Sequence, residues 1–133
     1  MKMTRINLIP VSELKNRHLI AEYREITMIP AAVRRIQKSK RGLDKNRIPS
    51  KYTLNKGHVL FFIDKGRFLA NRYTQLVNEM VNRGFKPDSN RRFPLEDFPV
   101  GYDNDWTPTV DEIEINRERI NLRIAQKPHL YND

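Results

Sequence analysis

Glu22 and Glu25 stand three residues apart in the stretch His18-Leu19-Ile20-Ala21-Glu22-Tyr23-Arg24-Glu25. That spacing puts both carboxylates on one face of a helix. His18, four residues before Glu22, shares the face, and Arg17 and Arg24 flank it. A carboxylate held among guanidiniums stays ionised and can act as a base or stabilise a nearby cation. On spacing alone, the solvated face of an ordinary amphipathic helix is the more frequent meaning of this pattern. Arg119 and Arg123, four apart with Gln126 next on nearly the same strip, form a second group. They are suited to gripping phosphates and equally to pairing with Glu112, Glu114 or Glu118; the spacing does not choose. Gly57-His58-Val59-Leu60-Phe61-Phe62 reads as structural, because a lone histidine beside an apolar run is more often a hydrogen-bonded core residue than a ligand. Phe61, Phe62, Phe68 and Tyr73 read as core, and Trp106 as a pin for the proline-rich segment around it.

Composition narrows the chemistry. The chain has 133 residues and no cysteine. That length suits a single domain over 1–133 and is short for two. Disulfide frameworks, thiolate zinc sites and cysteine nucleophiles are excluded. The three histidines, His18, His58 and His129, are far apart in sequence, which argues against a multi-histidine metal site. No Walker loop, dinucleotide fingerprint or zinc-finger spacing is present, so neither metal nor cofactor is expected. The longest apolar run, Val59 to Ile63, is too short to span a bilayer. No apolar signal region follows Met1-Lys2-Met3-Thr4-Arg5. The reading is a soluble cytoplasmic protein with no membrane partner.

The net charge of +9 is unevenly spread. Residues 1–47 carry 12 basic and 4 acidic groups, residues 48–92 carry 9 and 3, and residues 93–133 carry 4 and 9. A basic body with an acidic last third points to a polyanion, and a pI near 10 puts nucleic acid ahead of a charge that serves solubility alone.

Three stretches of helical periodicity must position these groups. The first predicted helix runs from about Val11, started by Ser12 or the Pro10 turn, to Ile26 or beyond. One of its sides collects Leu19, Ile20, Tyr23 and Ile26. Pro30 kinks or restarts it before Ala31 to Ile36. Residues 39–56 read as a basic loop. A second helix begins near Gly57 or His58, or at Lys65, carries Leu69, Tyr73, Leu76, Val77, Met80 and Val81, and ends at Arg83 with Gly84 as its cap. Residues 86–109, with four prolines, read as irregular. The third helix starts after Thr109, with Asp111 and Glu112 favourable at its positive end, and stops near Gln126 before Pro128. Its stripes, Ile113-Ile120-Ile124 and Ile115-Leu122, imply burial on two sides. The expected fold is all-α: about three main helices joined by long irregular connections.

Three blocks carry a resemblance to a known family. The first is Thr4-Arg5-Ile6-Asn7-Leu8 with Val11-Ser12-Glu13-Leu14 and His18 to Glu25. The second is Gly57 to Lys65 with Arg83-Gly84-Phe85. The third is Arg119 to Pro128. Together they resemble, in order and over almost the whole chain, the pyrimidine-dimer DNA glycosylase/AP lyase family of the phage endonuclease V type. The resemblance implies a compact all-α fold and base excision at cyclobutane pyrimidine dimers. It implies that the α-amine of Thr4 attacks C1′ of the dimer's 5′ nucleotide, forms a Schiff base and nicks the strand by β-elimination. An α-amine with a pKa near ~8 is neutral at pH 7 far more often than a lysine near ~10.4, which suits that work. Glu25 matches the family's essential glutamate, which stabilises the cationic sugar or iminium and assists proton transfer. Arg5 and Arg24 match phosphate-holding residues, Arg119 a second phosphate grip, and Arg123 a position where the family has Lys. His18 and Glu22 match residues lining the same pocket, where small Ala21 leaves room. The implied partner is duplex DNA containing UV lesions or abasic sites, kinked and with a base flipped out, and the implied state is monomeric.

The chain departs from that pattern in three places. Met1-Lys2-Met3 precedes Thr4, and removal of Met1 exposes Lys2; initiation at Met3 is the favoured reading, against an added or genuine Met1-Lys2. The tail Pro128-His129-Leu130-Tyr131-Asn132-Asp133 has Leu130 for a Trp and lacks most of the family's aromatic residues, which puts dimer preference in question more than abasic-site cleavage. Met28 stands where some members have Arg. Two rival readings stay open: a damaged-DNA-binding homologue without chemistry, and a glycosylase of the same mechanism for another modified base.

Overall fold

The computed structural model describes residues 5–133. Five helices form it: α1 (Asn16–Glu25), α2 (Met28–Lys38), α3 (His58–Phe62), α4 (Gly66–Asn82) and α5 (Val110–Gln126). Short 3-10 turns punctuate the connections, and among the described residues the one extended pairing is an isolated bridge between Lys65 and Asp103. The all-α expectation holds. No helix among the described residues is long and apolar enough to cross a membrane.

The predicted first helix is divided. Val11–Glu13 is a 3-10 turn, Leu14 turns extended so that its side chain enters the core, and α1 begins only at Asn16. The Asp133 carboxylate accepts the Asn16 amide at 2.7 Å, satisfying one of the donors that a helix start leaves unpaired. The helix is interrupted again at Ile26 and Thr27, and α2 begins at Met28. Pro30 then falls in the first turn of α2, where a missing N–H costs nothing.

Both predicted starts of the second helix exist. α3 begins at His58, after Gly57 at φ +92°, and α4 begins after a break at Lys65. α4 ends as the sequence implies. Gly84 has φ +88°, the Phe85 amide reaches the Met80 carbonyl at 2.9 Å, and the Gly84 amide reaches Val81 at 3.0 Å. This is the left-handed cap that satisfies the last carbonyls. α5 is started by a reciprocal cap: Thr109 accepts the Glu112 amide and the Glu112 side chain accepts the Thr109 amide.

The core gathers Leu19 of α1, Ile26 just after it, Ile29 of α2, Phe62 of α3 and Leu69 and Leu76 of α4, all at zero exposure. Trp106 stands edge-on to Phe61 and Phe68 at 5.1 and 5.0 Å, and so holds the irregular 86–109 segment to the core. One expectation fails. α5 is buried on one side only: Ile115 is 44% and Leu122 52% exposed. That side is open to solvent, and the helix turns Ile113, Asn116, Ile120 and Ile124 inward.

Residues 5–9 have no regular structure, yet Ile6, Asn7, Leu8 and Ile9 are buried. A buried backbone without helix or strand partners must be satisfied by side chains. Four residues distant in sequence, His58, Tyr52, Asn116 and Arg72, supply them. The Ile6 amide donates to His58 Nε2 at 2.8 Å, and the Ile6 carbonyl accepts Tyr52 Oη at 3.0 Å. Asn116 Oδ1 accepts the amides of Leu8 and Ile9 at 2.7 and 3.1 Å. The Asn7 side chain donates to Glu22 and accepts from Asn116, each at 2.9 Å. Arg72 Nη1 donates to the Ile9 carbonyl at 2.7 Å.

Candidate active site

The buried thread leads into a cleft. Arg5, its first described residue, donates its amide to Glu25 Oε1 at 3.2 Å. Glu25 sits at the end of α1, almost wholly enclosed, and lines a cleft of about 400 Å³. α1 forms one wall with Arg17, His18, Ala21 and Glu22; α5 forms the other with Arg119, Ile120 and Arg123. Tyr131 closes one end, its ring stacked on His18 at 4.7 Å.

The polarity of this cleft is that of an anion receptor. Arg5, Arg17, Arg119 and Arg123 converge on a small volume. Among the described residues neither Arg119 nor Arg123 is held in an ion pair or side-chain hydrogen bond; the acidic neighbours are taken instead by Arg117, which binds Glu13 at 3.0 Å and Glu114. Surface pairing of the two arginines with Glu112, Glu114 or Glu118 is therefore not what the fold selects. Burial, with Arg119 and Arg123 nearby, lowers the Arg5 pKa, and its enclosed Nη1 has no hydrogen-bond partner among the described residues. An enclosed guanidinium nitrogen without an acceptor asks for one, and a phosphate oxygen fits. Burial, reinforced by Arg123, also holds His18 below the usual imidazole pKa, and neither of its ring nitrogens has a partner among the described residues. A neutral imidazole with one donor and one acceptor thus faces the cleft.

The candidate residues separate by position. Arg5, His18, Glu22, Glu25, Arg119 and Arg123 all line the one cleft. Arg24 does not: its side chain is exposed and outside the lining, while its carbonyl accepts Arg91 Nη2 at 2.7 Å. Arg17, the other arginine flanking the acidic face, does line it. Glu22 is in the lining but already engaged. Arg72 binds both of its oxygens, at 2.7 and 3.0 Å, and Asn7 adds a third bond. Thr4 lies outside the described residues.

Asn7, Arg72 and Asn116 were not evident as site residues from sequence, although one signal was present. Each is a polar residue set into an apolar pattern: Asn7 between Ile6 and Leu8, Arg72 among Leu69, Tyr73 and Leu76, and Asn116 between Ile113 and Ile120. A polar side chain at a core position must have buried partners. Arg91 went unnoticed for a different reason. It lies in the irregular segment, stacks over Tyr23 at 4.4 Å and donates to the Tyr23 carbonyl at 2.6 Å, binding the end of α1 that carries Glu25.

The chain matches the family model described as pyrimidine dimer DNA glycosylase over residues 3–93. The matched stretch includes the thread, α1 with Glu22 and Glu25, and α4 with Arg72; it ends before α5. It spans well over half of the 133 residues, and on that extent the chain belongs to the pyrimidine dimer DNA glycosylase family, a family of DNA repair enzymes.

Proposed function

We propose that this chain cleaves the N-glycosyl bond of the 5′ nucleotide in a cyclobutane pyrimidine dimer and then nicks the abasic strand by β-elimination, using the α-amine of Thr4 as nucleophile. The observation that carries the reading is the contact of the Arg5 amide with Glu25 in an arginine-lined cleft. The α-nitrogen of residue 4 is three bonds from that amide nitrogen, so an amine there comes within reach of Glu25.

The steps follow from the residues. The neutral amine bonds to C1′ as the glycosyl bond breaks, and the departing pyrimidine takes a proton. Loss of the ring C1′–O bond leaves an iminium joining the sugar to Thr4. Glu25 stabilises that cation and accepts protons in the enclosed cleft, where a fixed charge acts more strongly than in water. Removal of a C2′ proton drives out the 3′ phosphate, and hydrolysis of the iminium frees the amine. Arg5, Arg119 and Arg123 hold strand phosphates flanking the reacting sugar. Because one chain lines the cleft, a monomer on duplex DNA suffices.

The test is borohydride trapping on an abasic-site duplex in EDTA, followed by peptide mass mapping, with protein whose first residue is Thr4. Reduction should fix an adduct on the Thr4 amine. Protein extended before Thr4 should lose both trapping and nicking. An adduct on any other amine, or full activity in the extended form, would overturn the assignment.

A further inference from the structure

Arg72 is the charged residue deepest in the fold that the reaction itself does not use. It is 5% exposed, and each of its three donor nitrogens is engaged. Two bond Glu22, itself 1% exposed, and the third bonds the Ile9 carbonyl at 2.7 Å. One planar guanidinium therefore ties α1 and the 5–9 thread to α4. Glu22 passes the connection on, because its Oε1 also accepts the Asn7 side chain, which in turn accepts Asn116 of α5. The thread has no regular structure to hold it in register, so these bonds are what fix its depth and direction. Its leading amide ends on Glu25.

We propose that Arg72 is a positioning residue for the reaction: its fork on Glu22 and Ile9 sets where the Arg5 amide meets Glu25 in the cleft. The inference rests on the functional reading above but adds a residue that touches neither DNA nor the reacting atoms. Its electrostatic side is equally specific. Glu22 lines a cleft meant for a polyanion, and the guanidinium cancels a negative charge that would otherwise repel phosphate. Lysine does not substitute, since one ammonium cannot present a planar fork to a carboxylate and reach a carbonyl as well.

The experiment uses the full chain. Arg72→Lys keeps the charge and loses the fork. Binding to a duplex with a tetrahydrofuran abasic analogue should stay within about two-fold, while single-turnover nicking of a true abasic site should fall about 100-fold, the scale of a reactant misplaced by an ångström. Hydrogen exchange should show the Leu8 and Ile9 amides losing protection while Leu69 and Leu76 in α4 keep theirs. Wild-type nicking with unchanged exchange would overturn the proposal. If Arg72→Lys unfolds, Glu22→Leu/Arg72→Met replaces the pair with apolar bulk, a change that buried ion pairs often tolerate. That variant should fold and remain slow, and wild-type turnover in it would refute the positioning role. Absence of nicking by the unaltered protein would defeat the functional reading instead, and the Leu8 and Ile9 exchange would still judge the clamp.

Discussion

Lowering the pH should loosen this protein through His58. The ring is buried, its Nε2 accepts the Ile6 amide, and its Nδ1–H donates to the Thr53 carbonyl at 2.6 Å. Only the neutral ring can do both. Burial pushes its pKa down from 6.5 to about 4, partly offset by the Thr53 hydrogen bond and reinforced by Arg5. Below pH 6.5 the unfolded chain takes up a proton that the folded chain refuses, so stability falls as the pH falls, and this loss is complete near pH 4. The depressed pKa corresponds to about 3 kcal/mol in total, of which about 2 kcal/mol is lost between pH 7 and pH 5. That is a sizeable part of the ~5–15 kcal/mol that holds a domain folded. His18 is depressed as well, so the raw acid dependence mixes two rings. Comparison with His58→Gln, which keeps an acceptor for Ile6 and cannot titrate, isolates the buried one. Urea unfolding at pH 7, 6 and 5 should show the wild type losing about 2 kcal/mol more than the variant. Parallel losses in the two proteins would refute the neutral, doubly bonded ring.

Other perturbations test the cleft and the frame. Glu25→Gln should retain binding to dimer-containing duplex and lose base release; a gel assay of alkali-labile sites would detect any surviving activity, which would remove Glu25 from the chemistry. Arg119→Ala and Arg123→Ala should each weaken binding and reduce the slope of log K against log salt by about one, and unchanged slopes would place the side chain off the phosphates. Arg24→Ala should change that slope less than Arg119→Ala, since Arg24 is exposed and outside the cleft; a larger effect would extend the DNA footprint past the lining. Thr109→Ala should cost about 1 kcal/mol in thermal unfolding by removing half of the reciprocal cap on α5.

What the sequence made legible was whatever local chemistry decides. Thr109 with Glu112 announces a helix start, Gly84 announces a stop, and Pro30 marks a kink or a restart. The acidic face of α1 was legible as a pattern, and the resemblance gave it meaning. Neither could say which flanking arginine turns inward, because Arg17 and Arg24 straddle the same face and only the approach of α5 separates them. Periodicity showed that Ile115 and Leu122 share a side of α5 but not whether anything would cover it. The Arg72–Glu22 pair spans 50 positions and the Asn116 bond to Leu8 spans 108. Such partnerships leave no local trace beyond a polar residue where an apolar one is expected.

The Asn116 bonds to Leu8 and Ile9 also impose an order on assembly. A ribosome delivers the thread before its α5 anchor, and closing a loop of that span carries a slow, entropic cost. Until α5 has been made, Leu8 and Ile9 therefore lack the side-chain amide that secures them. Closure of the cleft, whose second wall is α5, is correspondingly a late step.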